Sequence, residues 1–250
     1  MSAFPLWEGV VQTPIDGVSF RLVDLERNSY YVIESKQPLR TLNSSMWGEG
    51  LGWHQALLNR QVDNTYLCDD PLTEMHSFMA EQGIAIQETA ALLTAARVQD
   101  CGYSERVTDA GFRVCTWATV GLSNKARAGY KQPRHQLYPG TINIIVLIDG
   151  ELTDAAMVNA VITTTEAKTA ALQDCCIRLD TEDIPATGTT TDAVIIAATQ
   201  RGPVSRYAGT STEVGYGIGR TVYESVMAST AAYKRWIKQK TAAMNPIAKE

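Results

Sequence analysis

The stretch TINIIVLIDGELTDAAMVNAVITTTEAKTAALQD, Thr141 to Asp174, and the DAVIIAAT that follows at Asp192 to Thr199 decide the fold. Residues 141–149 and 192–199 are short, nearly continuous apolar runs, which suit strands buried on both faces of a sheet. Between them, a segment from Thr153 or Asp154 to Asp174 has the length of a long helix, with Thr153 placed to cap its N-terminus. Strand, helix, strand in that order predicts a right-handed crossover joining parallel strands. The fold class is therefore α/β: a single mixed domain over residues 1–250, with a central sheet containing buried strands, flanked by helices.

The flanking segments extend this frame. GFRVCTWATVGL (111–122) alternates as a strand, with Phe112, Val114, Thr116, Ala118 and Val120 on one face and Arg113, Cys115, Trp117 and Thr119 on the other. Residues 18–24 and 30–34 place β-formers around the turn-prone ERNS and predict an antiparallel hairpin. WHQALLNRQV (53–62) has helical spacing, and helices are expected at about 72–82 and 86–98, the second from the Ala and Leu content of QETAALLTAARV. A last helix from about Thr212 to Thr241 carries Val214, Ile218, Val222 and Val226 near helical spacing and is expected to end in a basic turn.

Composition narrows the function. The chain has 250 residues, enough to bury a core without disulfide staples. Its 22 Lys and Arg are outnumbered by 27 Asp and Glu, for a net charge of −5, and the basic residues are scattered. No basic stripe exists to neutralise phosphates, so neither nucleic acid nor an anionic membrane is an expected partner. MSAFPLWEGVVQTP lacks a basic segment followed by an apolar run, and no apolar stretch reaches the ~18 residues that span a bilayer, so a cytoplasmic location is expected. The five cysteines (Cys68, Cys101, Cys115, Cys175, Cys176) are odd in number without C-x-x-C spacing and read as buried or idle thiols. His54, His76 and His135 lie far apart, so no zinc site is expected; a metal held by carboxylates stays open.

Four loops are rich in Gly, Thr, Ser and Asn: GLSNKARAG (121–129), PGTIN (139–143), ATGTTTD (186–192) and YAGTST (207–212). They supply hydrogen-bonding groups without net charge, which suits an uncharged, amide- or hydroxyl-rich ligand. The same composition also makes turns and caps. No P-loop is present, Arg220 breaks G-x-G-x-x-G in GYGIGR (215–220), and GLSNK is not a nucleophile elbow.

The ordered series TVGLSNKARAG, PGTINIIVLIDGELTDAAMVNAVITTTEAKTAALQD, ATGTTTDAVIIAA and YAGTSTEVGYGIGR resembles the adenosylcobinamide amidohydrolase family, with a weaker echo in LRTLNSSMWGEGLG and LLNRQV. The resemblance implies hydrolysis of the amide joining the aminopropanol linker to the corrin ring of adenosylcobinamide, and in some members of cobamides. The products are adenosylcobyric acid and 1-amino-2-propanol, in corrinoid salvage. It also implies a corrinoid as substrate and no cofactor. Where the family pattern would read TGTGTD, Thr190 stands in place of the second glycine. A homo-oligomer is compatible with the sequence, which leaves the oligomeric state open.

Amide hydrolysis needs a nucleophile, a stabiliser for the tetrahedral oxyanion and a proton for the departing amine. Glu166 is a candidate general base, Lys168 an oxyanion stabiliser or proton donor, and Asp192 a partner for Lys168 or a second acid/base. Ser123 is a further catalytic candidate, as a donor or, like Thr141, a covalent nucleophile; Cys115, in a strand pattern, reads better as core. Asn124, Thr141, Asn143, Thr187, Gly188 and Thr189 are assigned to substrate binding. Trp47, Trp53 and Trp117 suit either a corrin edge or the core. Residues 166 and 168 lie about 200° apart on a regular helix, so either one alone is catalytic or the helix breaks at Thr163–Thr165. Structural roles compete with each assignment: a snorkelling stem for Lys168, a solvated face for Glu166, a turn carboxylate for Asp192. Two other functions stay open, a non-catalytic corrinoid binder, although D-x-H-x-x-G is absent, and an amidase for another polar amide.

Overall fold

The structure is a computed structural model that describes residues 9–25, 27–131, 140–180 and 182–244. Of the residues read above, 1–8, Glu26, His135 and Pro139 lie outside the described residues. The chain begins with β1 (Val10–Gln12), β2 (Val18–Val23), β3 (Tyr30–Asn43) and β4 (Gly50–Gln61), consecutive antiparallel neighbours. The expected hairpin at 18–34 is therefore present. Helix α1 (Pro71–Glu81) follows, capped by the Asp70 carboxylate on the Thr73 amide and started by proline, close to the expected 72–82.

Two helical expectations are overturned here. Residues 53–62 lie largely in strand β4, and 86–98 resolve into a 3₁₀ turn at Ile86–Glu88, strand β5 (Thr89–Thr94), and the start of a second turn at Val98–Asp100. Strand β4 lies between β3 and β5 and is buried on both sides, with Leu57 in the core inside the sheet and Leu58 in the core under α1. Adjacent leucines fit a helical period as readily as a strand with two buried faces. In β5, Ala90 and Leu92 face one core and Ala91 the other, so pairing with β4 overrides the helix propensity of Ala and Leu. The β4–β5 pair is parallel and α1 bridges it, a second strand–helix–strand unit.

Strands β6 (Gly102–Val107) and β7 (Arg113–Val120) form a further antiparallel pair, and the two-residue β8 (Lys125–Ala126) lies in the loop beyond. The expected alternation holds in β7. Val114, Ala118 and Val120 join one core, Cys115 and Trp117 the other. Next come β9 (Ile142–Asp149), β10 (Glu151–Leu152), α2 (Asp154–Asp174), β11 (Gly188–Thr189) and β12 (Ala193–Ala198). β9 and β12 pair in parallel from Ala193↔Asn143 to Ala198↔Ile148, as the opening stretch predicts. β13 (Val204–Ser205) pairs with β10, and α3 (Glu213–Met244) closes the described chain. The last turn of α3 carries no basic residue, a correction: the helix runs past Thr241, leaving Lys238 and Lys240 one turn earlier.

The main sheet has nine strands in the order β1-β2-β3-β12-β9-β7-β6, with β4 and β5 added along β3. Strand β3 shifts register between Glu34 and Leu39; its first half pairs β2 and its second half β12, while β4 follows it throughout. The sheet curls, and the Asn143 amide of β9 reaches across to the Leu93 carbonyl of β5 at 3.0 Å. One core fills the curl around Phe20, Tyr31 and Trp117; another lies between the outer face and helices α2 and α3. Each fully buried Val, Leu or Ile contributes about 1.5–3 kcal/mol. The result is a mixed α/β fold whose strand ends, rather than its core, are left to build a site.

Candidate active site

Helix α2 is continuous through Thr163, Thr164 and Thr165. Thr163 donates to the Ala208 carbonyl at 2.7 Å and Thr165 back-bonds to Val161 at 2.9 Å, so neither hydroxyl competes for the helical backbone donors. An unbroken helix separates Glu166 from Lys168. Lys168 is buried at 9% exposure, and its ammonium meets Asp192 Oδ2 at 2.6 Å instead of snorkelling to water. Glu166 is exposed on the opposite face, where it lines a shallow pocket of about 470 Å³ with Asn159, Ile162, Tyr207, Thr210 and Ser211. Glu166 and Lys168 do not share a site.

Asp192 gathers the loops. Its Oδ1 accepts from the Ile142 amide (3.1 Å), the Thr189 amide (3.1 Å) and the Thr189 hydroxyl (2.5 Å), while Oδ2 takes Lys168 and a longer contact from the Thr189 amide (3.2 Å). Gly188 is required by this closeness: a Cβ there would stand 2.2 Å from Asp192 Oδ2 and 2.9 Å from Lys168 Nζ. β11 pairs with β8, Asn124 donates to the Thr190 hydroxyl at 2.7 Å, and Thr169 donates to the Thr187 carbonyl at 3.1 Å. Thr190, at the departure from the family pattern, has no positive φ. The loop closes there without glycine's freedom. Thus segments 121–129, 140–143, 163–169 and 186–192 converge, whereas 207–212 lies with Glu166.

The convergent residues hold different places. Asp192 and Thr141 line a cleft of about 470 Å³. Thr141 donates its hydroxyl proton to the Thr191 carbonyl at 2.7 Å, and Thr191 donates to the Gly140 carbonyl at 2.8 Å. Asn143 is wholly buried; its amide protons go to Asn59 (2.8 Å) and Leu93, so it braces the floor and does not reach the cleft. Ser123 is exposed, and its Oγ lies only 2.4 Å from where a Gly140 Cβ would be. Thr187 accepts from the Ala128 amide at 2.9 Å and tethers the two loops.

Of the wall opposite, sequence reasoning singled out Trp47 alone. That wall consists of Ser44, Ser45, Met46 and Trp47 after β3, with Val62 and Tyr66 after β4 and Thr94 at the end of β5. The cleft thus lies at the C-terminal ends of the parallel β4–β5 pair, where open α/β sheets commonly bind ligands, and at the N-terminal ends of β9 and β12. The weaker echoes in LRTLNSSMWGEGLG and LLNRQV, which contain Ser44–Trp47 and Val62, pointed there as well. Of the tryptophans, Trp47 lines the cleft and donates Nε1 to the Pro71 carbonyl at 3.2 Å, Trp117 is core, and Trp53 is exposed beneath Arg40. Burial, then contacts with Cys68 and Glu74, push the Tyr66 phenol well above its ordinary pKa, so it stays protonated at neutral pH.

One wall offers hydroxyls, a carboxylate and a nearby ammonium, the other an indole, a thioether and a phenol. Fold and cleft together define an α/β protein whose strand ends set polar groups against an aromatic and apolar wall. The adenosylcobinamide amidohydrolase family (CbiZ) matches residues 14–238, and the chain belongs to that family. It is 34% identical over 204 residues to an adenosylcobinamide amidohydrolase of Halobacterium salinarum, covering 79% of this chain and 83% of that protein. It is 32% identical over 185 residues to one of Methanosarcina mazei, covering 70% and 82%. The crystal structure of the PH0078 protein from Pyrococcus horikoshii OT3 is similar with a TM-score of 0.53 at 10% identity, covering 87% of this chain and 85% of that one, a likeness of fold alone.

Proposed function

We propose that this protein hydrolyses the amide joining aminopropanol to the corrin ring of adenosylcobinamide, releasing adenosylcobyric acid and 1-amino-2-propanol, at the cleft bearing Asp192 and Thr141. Family membership supports the reaction. The observation that carries the placement is the Lys168–Asp192 pair, which sits where three of the polar loops meet helix α2, with Asp192 lining the cleft that the aromatic wall shares. Asp192 Oδ1 is taken up by Ile142 and Thr189, which fixes the carboxylate, whereas Oδ2 holds Lys168 and only the longer arm of the shared Thr189 amide bond, which makes it the less committed oxygen. In this reading Oδ2 accepts a proton from the attacking water. Lys168 has ammonium protons beyond the one given to Asp192, and these stabilise the oxyanion and protonate the departing amine. Thr141 directs the amide through its hydroxyl oxygen.

Water is the nucleophile in this reading, because the Thr141 proton goes to a backbone carbonyl and not to a base. The corrinoid is the substrate and no cofactor is assigned. We place the reaction in the cytoplasm, a location supported by five free cysteines and by the absence, among the described residues, of any helix long and apolar enough to cross a membrane. The acidic, scattered charge speaks against a nucleic-acid partner. The test is direct: purified protein is incubated with adenosylcobinamide, and 1-amino-2-propanol is measured. Binding without any release of the amine would replace this reading with that of a corrinoid carrier.

A further inference from the structure

Tyr66 stands in a loop whose next residue, Leu67, is 93% exposed, yet Tyr66 itself turns inward and lines the cleft. Its orientation is built in two layers. The phenol donates to Glu74 Oε2 at 3.1 Å, with the Cys68 thiol as a second neighbour within hydrogen-bond reach. Glu74 is held in turn by the buried Arg60, which gives it two hydrogen bonds at 2.8 and 2.6 Å, adds one to Asn28 at 3.0 Å and stacks on Phe78 at 4.0 Å. Burying an arginine is costly unless its charge is paired and bonded. Here the pairing both fastens α1 to β4 and commits the Tyr66 proton to Glu74.

A phenol whose proton is committed offers a ligand its oxygen lone pairs alone. Beside it are Met46, which is half exposed, and Trp47, an apolar surface for a flat ring edge. The polar groups for amide chemistry lie on the other wall. We infer that Tyr66 is a specificity-determining residue of the ring-binding subsite, its oxygen accepting an N–H from a peripheral carboxamide of the corrin while Met46 and Trp47 take the ring edge. This rests on the corrinoid reading above and adds the orientation: ring against the 44–66 wall, linker towards Asp192. A corrin with its side-chain carboxamides converted to esters has no N–H to offer, so Tyr66 discriminates against it.

The experiment is equilibrium dialysis, read by corrin absorbance, of the wild type and Tyr66→Phe with two probes: adenosylcobinamide and a corrin whose peripheral carboxamides are methyl esters. Far-UV circular dichroism and Tm confirm that the variant is folded. Loss of one hydrogen bond predicts roughly fivefold weaker binding of adenosylcobinamide by the variant, and equal binding of the ester corrin by both proteins. In turnover the loss appears in KM more than in kcat. Equal affinity of the two proteins for adenosylcobinamide overturns the inference even where hydrolysis is intact. A wild type that binds the corrin but never cleaves it counts against the proposed reaction instead, with the dialysis comparison still deciding the role of Tyr66.

Discussion

Lys168 and Asp192 lie 24 positions apart in the chain and meet at 2.6 Å, the lysine from the buried face of α2 and the aspartate from the residue before β12. Both side chains are nearly enclosed, at 11% and 14% exposure. Removing one partner leaves the other charge without its counter-ion in a poorly hydrated place, which typically costs about 3–5 kcal/mol in buried pairs. Lys168→Met and Asp192→Asn are each expected to lower kcat by at least about 100-fold, the usual scale for losing a proton-transfer or oxyanion group. Both variants should also lower Tm. The double variant should lose less than the sum of the two, as contacting residues do. Kinetics and thermal melts on the three proteins check this, and additive losses would separate the two residues' roles.

Glu166 provides the converse case. It is exposed and opens onto a different pocket from Asp192. Glu166→Gln is expected to leave kcat and KM within about twofold, the range of a surface substitution of about 0.5 kcal/mol. A kcat loss of two orders of magnitude would move the chemistry to the face of α2 that carries Asn159 and Tyr207.

Glycine at 188 is expected to be irreplaceable. In Gly188→Ala the new methyl would overlap Asp192 Oδ2, and backbone at β11 cannot yield without breaking its pairing with β8. Activity should fall nearly as far as in Asp192→Asn, with a loss of stability of about 1–3 kcal/mol from overpacking. Thr190→Gly, which restores the family pattern, should instead cost about 1–2.5 kcal/mol, from a looser unfolded chain and the lost hydrogen bond from Asn124, and spare activity. Urea denaturation paired with amine release measures both.

His54 makes stability depend on pH. It is buried at 8% exposure, its Nδ1 lies 2.6 Å from the Thr41 hydroxyl, and burial lowers its pKa below the ordinary 6.5. Well above 6.5 neither folded nor unfolded chain binds the proton, and the full contribution is present. As pH falls below 6.5 the unfolded chain takes the proton first, so stability drops until the folded pKa is passed. The Tm should therefore fall between pH 7 and 5.5, and His54→Gln should flatten that slope while lowering Tm at pH 7. An unchanged slope would remove His54 as the cause.

Much of this was legible in the residues. The apolar runs at 141–149 and 192–199 with the intervening α2 specify a parallel pair and its crossover helix, because strands buried on both faces must be apolar throughout. Thr164, Lys168 and Ala171, spaced four and three apart, share one face of a regular helix, and that face is the buried one in α2. β4 and β5 were not legible: Leu57, Leu58 and the alanines of 90–96 satisfy either period, and only their placement between β3, α1 and the interior decides for strands. The cleft's second wall was legible only in part, through Trp47 and the LRTLNSSMWGEGLG echo: Ser44 reaches the start of β12 because β3 pairs with β12, and Tyr66 comes near Asp192 through the curl that carries β4 and β5 round.

What the sequence determined by itself is the crossover unit, the polar loops and the family, all of which rest on local pattern and order along the chain. What only the tertiary structure decided is which charge of TTTEAKTAALQD pairs with Asp192. A helix period places Glu166 and Lys168 on different faces. Asp192, brought in by β12 pairing parallel to β9, makes Lys168 the one with a partner.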